Sequence, residues 1–416
     1  MHRKHRLAGI VAGITAVSLT AACGGGSGFE DEEGDGGAQP EQTGPAAITV
    51  LIGSSGPAET DAVTAAAQAW AEESGNTAEV IAATDLNQQL SQGFAAGDPP
   101  DVFYMGADTF AENAANGSML AYASELENAD DFYPNLVEAF TFEDEFYCAP
   151  KDFSTLGLVI NNAAWEAAGL TDDDIPTTWD ELNQVAQTLT SGDQAGLVSS
   201  MEYQRLGAFM VQAGSNIVTD GQATANSSEN VEALEFVKSM LTEGSMQTIG
   251  DVGAGWGGEA FGTQKAAMTI EGNWIAGAMS ADFPDVDYRV VPLPEGPAGP
   301  GTLSFTNCWG IAADSDNQEA AQDFVAFMTT PEQQMEFARG FGVMPSVQSA
   351  AEDYATEFPE SAAFIEQAEV ADTVPNQPGV SQVIADLNAQ LEGLESSDPK
   401  AILDSAQTNL EAALGG

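Results

Sequence analysis

Basic side chains are scarce in this sequence. Its 416 residues include 10 Lys and Arg against 64 Asp and Glu, which gives a formal net charge of −54 at pH 7. Affinity for nucleic-acid backbones and for anionic lipid headgroups depends on Lys and Arg, so we expect no nucleic-acid partner and no membrane binding through a basic patch. The hydrophobic content of 43% is still sufficient for a sizeable core, and the length predicts two or three domains or lobes.

Histidine is scarcer still. Both histidines, His2 and His5, lie in a basic stretch that precedes an apolar run at 7–22. This run is too short to span a bilayer comfortably, so residues 1–22 are predicted to be a signal peptide. Their removal leaves 7 Lys and Arg against 64 Asp and Glu, a net charge of −57, and no histidine. Ser-His-Asp or Cys-His catalysis and His-ligated metal sites are therefore excluded, whereas catalysis by a carboxylate pair is not.

Cysteine is also rare, with three residues in all. The segment LTAAC at 19–23 resembles a bacterial lipobox, although Thr20 stands where Leu or Val is commoner. We expect lipid attachment at Cys23; the alternative is an ordinary secretory signal in which Cys23 is incidental. Residues 23–45 are acidic and rich in Gly, which predicts a flexible linker between a lipid anchor and a folded body. The expected location is the extracellular face of the cell membrane.

Apolar runs of strand length alternate with segments of helical period from Ile48 onward, which predicts an α/β architecture. The predicted strands include 48–52, 101–105, 156–160 and 267–270. Thr178 with Glu181 forms the signature of a capping box and predicts the start of a helix. A second helix is predicted to begin at Thr330-Pro331 and to end at Gly340.

Six segments carry a resemblance to a known family. They occur in the order 97–120, 147–170, 176–182, 259–274, 304–313 and 320–345. Together they resemble extracellular solute-binding proteins of ABC importers, and more narrowly the family that binds maltose and other sugars. The resemblance covers residues 46–345 and continues as a weaker helical tail to residue 416.

This resemblance implies a periplasmic-binding-protein type II fold with two α/β lobes joined by hinge strands. It implies a first lobe at 46–149 plus 310–343 and a second at 150–309 plus 344–416. Ligand would bind between the lobes, and closure would present the loaded form to a membrane permease. The expected protein is a monomer without a cofactor or a metal.

Cysteines 148 and 308 remain as an even pair if Cys23 is lipidated, and disulfides persist in exported proteins. In the topology that the resemblance implies, both lie on segments that cross between the lobes. A Cys148–Cys308 disulfide would therefore tie neighbouring hinge strands. Two buried free thiols are the alternative.

Ligand-binding residues are sought directly after the strands, because ligands of open α/β sheets bind beyond the carboxyl ends of strands. Sugars need aromatic faces against their C–H surfaces and planar polar groups that bond pairs of hydroxyls. The predicted aromatic contributors are Tyr203, Trp256, Trp274 and Trp309. The predicted polar contributors are Ser54, Glu59, Asp108, Asp152, Glu271, Asn307 and Arg339. Among these, Trp274 in the segment TIEGNW matches a sugar-stacking tryptophan of the family.

These observations predict a lipid-anchored receptor subunit of an ABC importer for a mono- or oligosaccharide. A type II binding protein for a polyol or a polyamine is one alternative, and a secreted carboxylate-pair glycosidase is another. The acidic excess predicts an organism that lives at high salinity, because salt screens the repulsion between carboxylates.

Overall fold

The computed structural model describes residues 44–54 and 56–415; the predicted signal peptide, Cys23 and nearly all of the predicted linker lie outside them. Within these ranges there are fourteen strands: β1 (Ala47–Ile52), β2 (Thr77–Ala82), β3 (Val102–Gly106), β4 (Thr141–Phe142), β5 (Glu145–Phe146), β6 (Ala149–Asn161), β7 (Ala195–Ser199), β8 (Val218–Thr219), β9 (Gln222–Ala223), β10 (Met246–Thr248), β11 (Ala266–Gly272), β12 (Tyr288–Val291), β13 (Thr302–Ile311) and β14 (Ala371–Thr373).

The same ranges contain sixteen α-helices: α1 (Pro57–Ser74), α2 (Leu86–Ala96), α3 (Ala107–Ala115), α4 (Pro134–Ala139), α5 (Asn162–Ala167), α6 (Trp179–Leu189), α7 (Tyr203–Ala213), α8 (Ser228–Glu243), α9 (Gly257–Gly262), α10 (Trp274–Asp282), α11 (Gln318–Met328), α12 (Pro331–Phe341), α13 (Ala351–Glu357), α14 (Ala362–Glu366), α15 (Val380–Leu391) and α16 (Pro399–Ala413). Among the described helices, none combines the length and the apolarity that a bilayer crossing requires.

Local signals place several helix ends. Thr178 caps α6 by accepting a hydrogen bond from the Glu181 backbone N–H at 3.3 Å, whereas the Glu181 carboxylate bonds Thr177. Thr330 caps α12 in the same way. This helix continues one residue past the expected end at Gly340, to Phe341, because the left-handed conformation that ends many helices is taken by Gly342 (φ +79°).

One mixed sheet organises the chain, with strand order β10-β7-β11-β6-β13-β3-β1-β2. The two long central strands, β6 and β13, each change partners along their length. The first part of β6 pairs with β13, and its second part pairs with β11 and β12. Likewise β13 pairs with β14 at its start and with β3 at its end. These two strands therefore connect the two ends of the sheet.

A disulfide joins the segment before β6 to β13. Cys148 and Cys308 are bonded, with their Cα atoms 5.7 Å apart and a sequence separation of 160. The structure thus contains the pairing that the family resemblance implied. Closing a loop of this length stabilises a fold by about 5 kcal/mol in the chain-entropy model.

Apolar side chains form two large clusters. Most residues of the first cluster come from 48–153 and 308–368. Residues of the second come from 156–303 and 380–410. The boundary in sequence falls within β6, so this strand contributes to both clusters.

Candidate functional site

A cavity of about 670 Å³ lies where strand ends from both parts of the sheet meet. Its wall is formed by residues that follow β1, β3, β11 and β14, by the middle of β6 and β13, and by the residues after α12. This is the position at which open α/β sheets bind ligands. Five of the residues predicted as ligand contacts lie on this wall: Glu59, Asp108, Asp152, Trp274 and Asn307.

Two aromatic rings form a corner in the cavity wall. Trp274 and Phe305 have ring centroids 5.5 Å apart and planes at 79°, an edge-to-face arrangement. The Trp274 residue is 37% exposed, whereas Trp70, Trp165, Trp179 and Trp309 are at most 7% exposed. A large apolar ring left exposed inside a cavity offers a ligand a flat surface for its own apolar face.

A buried cation lies between two carboxylates on the cavity wall. Lys151 is 6% exposed; its Nζ lies 3.2 Å from Glu59 Oε1 and also pairs with Asp152. The Nζ atom lies 4.6 Å from the centre of the Tyr104 ring, a cation–π contact. Burial lowers the pKa of Lys151, but the charges of Asp152 and Glu59 outweigh burial and raise it. Burial raises the pKa of Asp152, and the Lys151 charge partly offsets this rise.

The rim of the cavity carries two exposed polar residues. Asp108 lies in the first turn of α3, and Asn307 lies on β13, where it faces Gly106 and Asp152 in the sheet register. Both side chains are exposed and line the cavity. Together with Glu59 and Asp152 they supply carboxylate and amide oxygens that accept hydrogen bonds from hydroxyl groups.

Three residues predicted as ligand contacts are buried away from the cavity. Tyr203 is 0% exposed, because it begins α7 with its ring in the second apolar cluster and its hydroxyl bonded to Asn216. Trp309 is 1% exposed, because it lies further along β13 than the cavity wall, with its ring 5.9 Å from that of Phe324 on α11. Glu271 is 1% exposed and lies behind Trp274, where burial raises its pKa. None of the three therefore lies on the cavity wall.

Three further predicted contacts lie near the surface but off the cavity wall. Ser54 shapes the turn before α1, because its hydroxyl accepts a hydrogen bond from Thr60 at 2.8 Å. Trp256 is half-buried and precedes α9, and its ring lies against Gly258. Arg339 is exposed in the last turn of α12 and forms two 2.7 Å hydrogen bonds with Glu357. The structure therefore separates these residues from the cavity.

Other residues of the site carry little signal in the sequence. Phe305 lies in the middle of β13, so a search for ligand contacts directly after strands does not find it. Lys151 and Arg205 are conspicuous only because the chain has so few cations. Among the described residues, no group of three or more Cys, Asp or Glu side chains is arranged to hold a metal ion.

Comparison with known sequences identifies the family. The sequence model of the bacterial extracellular solute-binding protein matches residues 56–335, about two thirds of the chain. The chain belongs to this family. Members of this family bind solutes outside the cell and are not enzymes. Membership therefore fits an exported protein that acts as a receptor.

Individual relatives are distant but cover most of the chain. The solute-binding protein is 24% identical over 353 residues to a binding protein of Brucella abortus (strain 2308), over 81% of this chain and 85% of that one. It is 24% identical over 273 residues to the diacetylchitobiose binding protein DasA of Streptomyces coelicolor, over 63% and 64% of the two chains.

Solved structures show the fold. The cyclic alpha-maltosyl-1,6-maltose binding protein from Arthrobacter globiformis superposes with a TM-score of 0.80 at 21% identity, over 90% of this chain and 100% of that one. The likeness confirms the predicted fold class, an α/β periplasmic-binding-protein type II fold.

Proposed function

We propose that this solute-binding protein is the receptor of an ABC importer and binds a neutral mono- or oligosaccharide in the cavity. The observation that carries the proposal is a cavity whose wall holds both the Trp274–Phe305 corner and a set of carboxylate and amide groups. A sugar ring presents an apolar C–H face and a perimeter of hydroxyls, and this cavity has a surface for each. Its volume, about 670 Å³, lies in the range typical of small-molecule sites.

The proposed ligand contacts are a revised set. Trp274 and Phe305 pack against the apolar face of a sugar ring, and Asp108 and Asn307 bond hydroxyls at the rim. Glu59 and Asp152, which both pair with Lys151, accept hydrogen bonds deeper in the cavity. The names of relatives that bind diacetylchitobiose and cyclic alpha-maltosyl-1,6-maltose support a saccharide.

The charges of the cavity disfavour an anionic solute. Three carboxylates and one ammonium group line it. All seven Lys and Arg side chains within residues 44–54 and 56–415 already bond an acidic side chain or a backbone carbonyl of the chain. Among these seven, Lys151 is the one on the cavity wall, where it is paired with Glu59 and Asp152, so a phosphate or a carboxylate would meet a net negative wall.

The proposed mechanism is closure of two lobes about β6 and β13. The two apolar clusters support such a division, with residues 344–368 assigned to the first lobe because they pack in the first cluster. The Cys148–Cys308 disulfide would limit sliding between the two connecting strands. The loaded monomer would then dock on a permease while a lipid on Cys23 keeps it at the membrane.

A thermal-unfolding screen tests the substrate class. The panel contains maltose, cellobiose, N,N′-diacetylchitobiose, sorbitol, spermidine and glycerophosphocholine. A saccharide at 100 times its Kd adds about 2.7 kcal/mol of stability, which raises the Tm of a chain of this size by about 3–4 °C. Stabilisation by spermidine or sorbitol, with no response to any saccharide, would sink the saccharide assignment. Consumption of the stabilising sugar would instead identify a glycosidase.

A further inference from the structure

Three side chains meet behind one wall of the cavity. Arg205 lies on α7, Glu271 near the end of β11, and Trp274 at the start of α10. A single oxygen, Glu271 Oε2, accepts hydrogen bonds from Arg205 Nη2 at 2.7 Å and from Trp274 Nε1 at 2.9 Å. The guanidinium carbon of Arg205 lies 5.1 Å from the centre of the indole ring, which is a cation–π distance. We call these three side chains the indole clamp.

The indole ring is held on several sides although it borders the cavity. Glu271 fixes the N–H edge, and Phe305 meets the ring edge-to-face at 5.5 Å. The six-membered part of the indole lies where a Cβ atom on Gly272 would be, so the ring rests directly on the backbone. A 37% exposed tryptophan thus has a defined orientation.

Only one member of the indole clamp lies on the cavity wall. Trp274 lines the cavity, whereas Arg205 and Glu271 do not. The side chain of Arg205 is 12% exposed and that of Glu271 is 1% exposed. A solute in the cavity therefore meets the ring and not the two charges behind it.

We infer that Glu271 and Arg205 are positioning residues that hold Trp274 with its ring face toward the solute and its N–H directed away. The consequence for binding rests on the proposed function, but the orientation of the ring does not. Because Glu271 already accepts the indole N–H, Trp274 offers the solute an apolar face and no hydrogen-bond donor. Because the ring is fixed before binding, the solute does not have to order it.

The alternative role for this ion pair is stability alone. Buried ion pairs are weak contributors to stability, since desolvation of both charges offsets their attraction. Replacing both members with apolar side chains of similar size is therefore tolerated in many proteins. Such a replacement separates the two roles, because it keeps the fold and releases the ring.

The test uses the full exported chain labelled with 5-fluorotryptophan and observed by 19F NMR without solute. The six tryptophans give six resonances, and that of Trp274 is identified by its absence in Trp274→Phe. The variant Arg205→Met with Glu271→Leu removes the clamp without leaving a buried unpaired charge, because Glu202, the other partner of Arg205 at 3.5 Å, has a side chain that is 37% exposed. We expect the Trp274 resonance to shift and to respond more strongly to exchange of H₂O for D₂O. An unchanged Trp274 resonance in a folded variant would overturn the inference.

The matched control is Arg339→Met with Glu357→Leu. This second Arg–Glu pair has the same chemistry, with hydrogen bonds of 2.7 Å, but is exposed and off the cavity wall. We expect the Trp274 resonance to be unchanged in the control. If the clamp variant does not fold, the single variant Glu271→Leu is measured instead, because it removes the oxygen that accepts the indole N–H while Glu202 remains as a partner for Arg205.

Solute binding gives a second readout through a double-mutant cycle. With a saccharide that stabilises the wild type, loss of the clamp is expected to weaken binding about tenfold when residue 274 is Trp. In the Trp274→Phe background, removing the clamp is expected to weaken binding less than about twofold, because Phe has no N–H group for Glu271 to hold. An equal loss of affinity in both backgrounds would show that Arg205 or Glu271 contacts the solute directly and would overturn the inference. If no saccharide binds the wild type, the proposed function fails, and the 19F result decides the inference alone.

Discussion

At the scale of single residues, the end of β11 combines a buried acid, a glycine and an exposed aromatic within four positions. Glu271 faces inward, Gly272 has no side chain, and the Trp274 ring lies back over Gly272. The hydrogen bond from Trp274 to Glu271 depends on Gly272, because the indole ring crosses the space that a Cβ atom at position 272 would occupy. The orientation of Trp274 is therefore encoded in the local sequence EGNW as well as in the distant Arg205.

Replacing Gly272 tests this dependence. In Gly272→Ala the methyl group would overlap the indole, so we expect the ring to turn away and saccharide affinity to fall about tenfold. The free energy of unfolding should fall by about 1–3 kcal/mol, as for other overpacked sites. Titration calorimetry and urea unfolding measure the two effects.

Gly250→Ala is the control for this change, because its Cβ would lie 3.5 Å from Thr248 Oγ1, an ordinary contact. Its saccharide affinity should equal that of the wild type. Wild-type affinity in Gly272→Ala would contradict the account of the ring.

The residues that line the cavity could be predicted in part from their positions after strands. Asp108 and Trp274 line the cavity from the positions after β3 and β11 at which they were expected, whereas Asn307 lines it from the middle of β13. Tyr203 and Trp309 have comparable positions and the same chemistry, yet they are buried. The difference arises from the helices that cover them, and a single sequence does not show which strand ends a helix will cover.

At the scale of secondary-structure elements, one carboxylate connects β1, β3 and the loop before α11. One oxygen of Asp101 accepts hydrogen bonds from the Thr49 N–H at 2.8 Å and the Thr49 hydroxyl at 3.0 Å. The other accepts from the Ser315 hydroxyl at 2.6 Å and the Asn317 amide at 3.1 Å. Burial raises the pKa of Asp101, but these hydrogen bonds outweigh burial and lower it below its usual 3.8.

This lowered pKa predicts a pH-dependent contribution to stability. A carboxyl group whose folded pKa lies below its unfolded pKa stabilises the fold above the unfolded value, and the benefit is lost as pH falls through the folded value. Asp101→Asn should therefore lower the free energy of unfolding by about 1–2 kcal/mol at pH 7. The difference from the wild type should shrink below the usual value of 3.8.

Urea unfolding between pH 7 and pH 2.5 measures this difference. The exposed residue Asp98 provides the control, and Asp98→Asn should change stability by less than about 0.5 kcal/mol at any pH. A penalty for Asp101→Asn that stays constant down to pH 2.5 would show that its charge is not involved.

The two long strands show where pattern-based prediction stops. The strand expected at 156–160 is the second part of β6, which begins at Ala149. Residues 151–155 are mostly polar and so do not look like a buried strand, yet every one of them is buried. These polar side chains find partners far away in sequence: Lys151 forms an ion pair with Glu59, and the Thr155 hydroxyl donates a hydrogen bond to the Phe364 carbonyl.

At the scale of the whole molecule, the main electrostatic feature is the large excess of acidic over basic side chains. The cations of residues 44–54 and 56–415 are used within the fold, several of them in pairs with carboxylates, and most acidic residues of the same ranges have no cation partner. Their mutual repulsion destabilises the compact state unless salt screens it. This imbalance supports the expectation of a saline environment.

Stability should therefore rise with salt. The Debye length falls from about 10 Å at 0.1 M to about 3 Å at 1 M, so we expect the Tm to increase steadily between 0.1 and 2 M KCl at pH 7. Near pH 4, close to the sequence pI of about 4.1, the same salt series should have a smaller effect, because many carboxylates are protonated. Highest stability at low ionic strength and pH 7 would contradict this expectation.

The central claim is that Trp274 forms the saccharide-binding surface of the cavity. Calorimetric titration of the stabilising saccharide into Trp274→Ala and Trp256→Ala tests it most directly, because the second variant removes a half-buried tryptophan off the cavity wall. We predict an affinity loss of about thirtyfold or more for Trp274→Ala, equivalent to about 2 kcal/mol, and wild-type affinity for Trp256→Ala. Wild-type affinity in Trp274→Ala would contradict the account.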